Sequence, residues 1–192
     1  MTTKTRIFLI VGVPGSGKDV LIQAVNDMGV LHARIVPKHT SRERQSDDGN
    51  EMICSDDNDY DLAGCDITYE NYENKYGIKS FDIWNNINDE VAQVIVVSNI
   101  RAINKLLAMF GSVIKIVFIH SSLNVEEYHK EQIVLGNSTE YIENRISQYD
   151  KAINMFLKNY NYFDHVLIFE SSQEDLFDQI FRLLNYYEGV EL

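Results

Sequence analysis

Ile7-Phe8-Leu9-Ile10-Val11-Gly12-Val13-Pro14-Gly15-Ser16-Gly17-Lys18-Asp19 is the stretch that decides the architecture. The apolar run from Ile7 to Val11 reads as a buried parallel strand. Val20-Leu21-Ile22-Gln23-Ala24-Val25 reads as a helix, so the glycines fall at a strand-to-helix turn. Glycines there let the main chain curve into a nest of N–H groups, to which the helix N-terminus adds partial positive charge. The spacing marks Gly12, Pro14, Gly15, Ser16, Gly17, Lys18, Asp19 and Val20 as a cradle for the phosphates of ATP, with Lys18 reaching the β- and γ-phosphates. Asp19 stands where a Ser or Thr hydroxyl usually serves Mg²⁺, and a carboxylate there can hold that ion directly or through a water.

Working outward, short apolar runs alternate with helical patterns. Strands are expected at Ala33 to Pro37, Val94 to Ser98, Ile114 to Ile119 and His165 to Phe169. Helices are expected at Lys18 to Met28, Ile100 to Phe110, Thr139 to about Asn159 and Gln173 to Tyr187. Such alternation predicts an α/β fold, a mostly parallel sheet with helices on both faces. Two polar stretches interrupt it: residues 39–92, Asn/Asp/Tyr-rich with only brief β-like pieces such as Ile67-Thr68-Tyr69, and residues 121–140. Ligands of such sheets sit beyond the carboxyl ends of the strands, where these insertions emerge. In the long helix, Arg145 lies early among apolar positions, a place where the helix dipole disfavours a cation unless an anion approaches.

The 192 residues suffice for one well-filled core. The formal net charge of −12 argues against nucleic acid or an anionic membrane as partner, while a few cations can still form a local pocket for a small phosphorylated molecule. The acidic runs Asp47-Asp48 and Asp56 to Asp61 read as solvated surface, without the spacing of a calcium loop. Cys54 and Cys65 have no zinc pattern and read as reduced thiols. With no leader-like segment and no run of membrane-spanning length, a soluble cytoplasmic protein is expected, monomer or homodimer.

Together with the glycine loop, His39-Thr40-Ser41-Arg42-Glu43-Arg44, Asp47-Asp48-Gly49 and Asn74-Lys75-Tyr76-Gly77-Ile78 resemble the guanylate kinase group of P-loop kinases. Gly17-Lys18-Asp19, Tyr76-Gly77-Ile78 followed by Asp82-Ile83-Trp84, and Val96 to Ala102 are similar to ribose 1,5-bisphosphate phosphokinase of the same superfamily. The resemblance implies a P-loop NTPase-type three-layer fold forming a single kinase domain over 1–192. Within it, 39–92 would bind the acceptor and 121–140 would form a lid. Arg42, Arg44 and Tyr76 would hold the acceptor phosphate, and Arg145 with Lys130 would carry the charge of the transferring phosphoryl group. Guanidinium groups and a phenol suit that task chemically. Where guanylate kinases place base-reading acids, this chain has Thr68 or Tyr69 and Asn99 or Ile100, and its lid segment offers Lys130 in place of arginines. The acceptor stays open between a nucleoside monophosphate and a ribose phosphate. The competing reading is a nucleotide-binding or interaction module with a decayed lid.

Overall fold

Along β1 (Ile7–Gly12) successive side chains leave for opposite faces of the sheet, and each face has its own core. Ile7, Leu9 and Val11 join one buried cluster, whereas Phe8 and Ile10 join another. The computed structural model describes residues 6–28, 33–44, 49, 51–54, 62, 64–71, 74–88, 91–122, 124–170 and 172–188. After β1 come α1 (Lys18–Met28), β2 (Ala33–Ile35), β3 (Lys38–Thr40), β4 (Met52–Cys54), β5 (Ile67–Asn71), β6 (Asn74–Ile78) and α2 (Ser80–Asn88). The chain continues through β7 (Ala92–Val96), α3 (Ile100–Phe110), β8 (Ile114–His120), α4 (Val125–Val134), α5 (Thr139–Lys158), β9 (His165–Ile168) and α6 (Gln173–Glu188).

Among the described residues, five strands form a parallel sheet in the order β2-β7-β1-β8-β9. Its first face is covered by α3 through Ala102, Ile103, Leu106 and Phe110, and by Ala152 of α5. The second face is covered by α1 through Val20, Leu21 and Val25, and by α6 through Leu176, Ile180 and Leu184. This is the three-layer α/β arrangement expected from the alternation of runs. Truncating a core side chain such as Leu106 to Ala would cost about 2–5 kcal/mol. The chain leaves β1 towards the β2 edge and leaves the neighbouring β8 towards the β9 edge, so a crevice opens beyond their carboxyl ends.

A second sheet has the order β4-β3-β6-β5 and docks on the first face through Ile67, Tyr69 and Ile78. It occupies much of the stretch expected to be polar with only brief β-like pieces. That stretch also contains α2, and β7 starts at Ala92, two residues earlier than expected. The 121–140 segment likewise contains α4, whose residues are all at least partly exposed. Asp47, Asp48 and the run Asp56 to Asp61 lie outside the described residues, and Cys54 and Cys65 are not joined in a disulfide.

Both sheets end in strands whose outer main-chain groups meet side chains. On β5, Thr68 O accepts from Lys105 Nζ (3.2 Å) and Glu70 O from Asn99 Nδ2 (3.0 Å). On β9, the Gln179 amide accepts from Ile168 N (3.0 Å) and donates to Ile168 O (2.9 Å). No described helix is long and apolar enough to cross a membrane.

Candidate functional site

The loop between β1 and α1 is shaped by residues that suit its conformation and little else. Gly15 and Gly17 have φ of +75° and +73°, which side-chain-bearing residues rarely adopt. A Cβ at Gly17 would lie 2.7 Å from Leu176 Cδ2, whereas one at Gly15 would meet nothing within 4 Å. Gly17 is thus pressed against α6 and Gly15 faces open space. The Lys18 ammonium donates to Val13 O (2.5 Å), Gly12 O (3.3 Å) and Ser16 Oγ (3.3 Å), which holds it over the loop. Burial, then the nearby charges of Lys38 and Arg145, pull its pKa down to about 8 against the opposing pull of Asp19. Asp19 is exposed in the first turn of α1, where the helix dipole favours an acid. Val20 turns its side chain into the core, so any contribution to the cradle comes through its N–H.

From this loop extends a cleft of about 770 Å³. Lys18 and Asp19 share it with Arg42 after β3, Tyr76 on β6 and Arg145 on α5. Four separate parts of the sequence therefore meet at one opening. Tyr76 is placed by stacking on Tyr69, with ring centroids 5.4 Å apart and planes at 15°. Arg42 follows a turn in which Thr40 Oγ1 accepts from Arg42 N (3.2 Å) and donates to Lys75 O (2.9 Å), tying the turn to β6. Arg145 Nε donates to Tyr141 Oη (3.1 Å), and the guanidinium lies over the Tyr141 ring at 5.4 Å. Among the described residues no carboxylate pairs with Arg145. Gly12 and Arg145 also line an adjoining recess of about 250 Å³.

Two expected site residues lie elsewhere. Arg44 is exposed and does not line the cleft. Lys130 is exposed on α4 and also stays outside it. Tyr128, two residues earlier and about 200° around the helix, feels the charge of Arg145. Helix geometry thus turns Lys130 away when Tyr128 faces α5. In the other direction, the cleft contains Lys38 and Glu51, which sequence reasoning did not single out. Lys38 follows Pro37 at the boundary between two elements, where no periodicity marks it, and its ammonium lies 6.0 Å from the Tyr76 ring centroid. His39 is buried, and desolvation lowers its pKa, as for a histidine held in packing.

Of Thr68, Tyr69, Asn99 and Ile100, which the resemblance sets where base-reading acids are expected, two have structural tasks. Asn99 caps α3, its Oδ1 accepting from Arg101 N (2.9 Å) and Ala102 N (3.2 Å). Tyr69 is buried, and burial raises the pKa of its hydroxyl. A wider depression of about 870 Å³ between β5 and α3 shares Tyr69 with the cleft but contains no residue of the glycine loop.

No family model and no curated protein matches the chain. Among solved structures, a guanylate kinase from Anaplasma phagocytophilum superposes with a TM-score of 0.67, over 96% of this chain and 87% of that one, at 15% sequence identity. The chain therefore has a guanylate-kinase-like fold.

Proposed function

We propose that the chain is an ATP-dependent phosphotransferase that carries the γ-phosphoryl group of ATP onto a phosphate of a small acceptor, a nucleoside monophosphate or a ribose phosphate. One observation carries this reading: Lys18, Arg42, Tyr76 and Arg145 line a single cleft. A glycine loop alone would serve any nucleotide-binding protein, but further cations and a phenol in the same cleft suit a second anion. In the reaction, an acceptor phosphate oxygen bonds to the γ-phosphorus, the bond from that phosphorus to the β–γ bridging oxygen breaks, and ADP leaves with the electron pair. The acceptor oxygen is already anionic, so no general base is needed.

Lys18 would hold the β- and γ-phosphates, and Arg42 and Tyr76 the acceptor phosphate. Arg145 would compensate charge in the transition state, where positioning and electrostatics dominate. Mg²⁺, when bound, neutralises charge on the β- and γ-oxygens. Among the described residues no group of three His, Cys, Asp or Glu could hold a metal. Asp19 would hold the ion together with phosphate oxygens and waters.

The test is ³¹P NMR of the protein with MgATP and each of GMP, AMP, deoxynucleotides, ribose 5-phosphate and ribose 1,5-bisphosphate. Formation of ADP with a new phosphorylated product is expected for one acceptor class. ATP binding without turnover on any of them would transfer the assignment to a nucleotide-binding module, a reading favoured by the exposed position of Lys130.

A further inference from the structure

Glu51 is only 9% exposed, yet it lines the same cleft as Lys38, Arg42 and Tyr76. It sits immediately before β4, with its main-chain carbonyl accepting from Lys38 N (2.8 Å). Its Oε1 accepts from Gly49 N (3.3 Å), while Oε2 is buried and has no hydrogen-bond partner among the described residues. A Cβ at residue 49 would lie 2.7 Å from Oε2, so a glycine there leaves room for the carboxylate. A buried carboxylate oxygen without a donor is costly, and a native fold keeps one mainly where something else supplies the donor.

The surroundings restrict what that donor is. Arg42, Lys38 and Tyr76 suit the anionic end of a ligand, and a phosphate would be repelled by Glu51. A neutral O–H or N–H carried by the same molecule suits Oε2 beside that anion. Tyr69, which also lines the cleft, is committed to the core, and among the described residues Glu51 Oε2 is the buried side-chain oxygen without a hydrogen-bond partner.

We propose that Glu51 is a specificity residue that accepts a hydrogen bond from a hydroxyl or N–H group of the acceptor, so that the cleft selects phosphomonoesters bearing such a donor over bare phosphate. This rests on the reading of Arg42 and Tyr76 as the acceptor-phosphate site.

The experiment is isothermal titration of inorganic phosphate, ribose 5-phosphate and GMP, in EDTA so that no metal bridges to the carboxylate, with the parent, Glu51→Gln and Glu51→Asp. The parent is expected to bind at least one phosphomonoester more tightly than inorganic phosphate. Glu51→Gln should weaken that ester by roughly 10- to 100-fold, while phosphate affinity holds within about 3-fold or improves. Glu51→Asp should recover part of the loss, and the Tm of Glu51→Gln should hold or rise, because an unsatisfied charge has been removed. Dependence with ribose 5-phosphate identifies a sugar hydroxyl as the donor; dependence with GMP alone identifies the base. Equal binding of phosphate and both esters by the parent would overturn the role of Glu51 and leave the phosphate site standing. Equal weakening of all three probes, with a lowered Tm, would make Glu51 a structural residue and overturn the proposal. A parent that binds none of them would remove the acceptor-site reading itself.

Discussion

Lys18 loses its charge within the range of ordinary buffers, and two pH effects of opposite sign follow. With a pKa of about 8 in the folded chain against 10.5 for an ordinary lysine, the unfolded chain binds more protons between those values. The stability of the nucleotide-free protein should therefore rise from about pH 8 to 10.5 through this group. ATP affinity should run the other way. Below about pH 8 the ammonium is already charged, whereas above it each binding event must take up a proton, so affinity should fall by up to about tenfold per pH unit. Titration in buffers of different ionisation enthalpy checks this: proton uptake near pH 9 that is absent at pH 6.5 is expected, and Lys18→Arg should abolish the difference. The loop glycines make a second prediction. Gly17→Ala and Gly15→Ala should each incur about 1–3 kcal/mol of backbone strain. Gly17→Ala should be the worse of the two in urea unfolding, since only its Cβ meets Leu176. The loop was legible in the sequence because strand, glycines, lysine and helix are consecutive. Glu51 and Lys38 were not, because their meaning comes from a cleft assembled by residues distant in the chain.

At the scale of elements, α5 delivers a cation to the cleft and α4 does not. Arg145→Ala should lower turnover by about 10²- to 10³-fold, the range seen for removal of a transition-state donor, while leaving acceptor affinity nearly unchanged. Lys130→Ala should stay within about 3-fold of the parent in the same steady-state assay. A loss with Lys130→Ala as large as with Arg145→Ala would mean that α4 rotates into the cleft during the cycle. The long elements followed from periodicity because each buries a stripe, as α3 does through Ala102, Ile103, Leu106 and Phe110. In α4 no residue is buried, so there was no apolar period to read. Its signal was local: Asn124 Oδ1 accepts from Glu126 N and Glu127 N, and those two acids in the first turn suit the dipole. α2 escaped for a related reason, since Ile83 is fully buried while Phe81 and Trp84 stay exposed. Its start is held by Asp66, which accepts from Ser80 N (2.8 Å) and from Ser80 Oγ, a side-chain contact that hydrophobic periodicity does not report.

The whole molecule is needed to bring Arg42 and Tyr76 to one place. Thr40 faces Tyr76 across the antiparallel β3–β6 pair, and Arg42 follows two residues later. A double-mutant cycle of Arg42→Ala and Tyr76→Phe on acceptor binding should therefore show coupling of about 0.5 kcal/mol or more, whereas independent effects would separate the two residues. Overall shape also bears on how copies of the chain meet. The β9 side of the large sheet ends in exposed Val166 and Ile168, a combination that invites a neighbour's strand. Gln179 already holds both main-chain groups of Ile168. Gln179→Ala should make sedimentation more concentration-dependent than in the parent, with Ile168→Lys suppressing the effect. One amide on α6 thus imitates a passing β-strand, and sheet-to-sheet polymerisation finds its first rung taken.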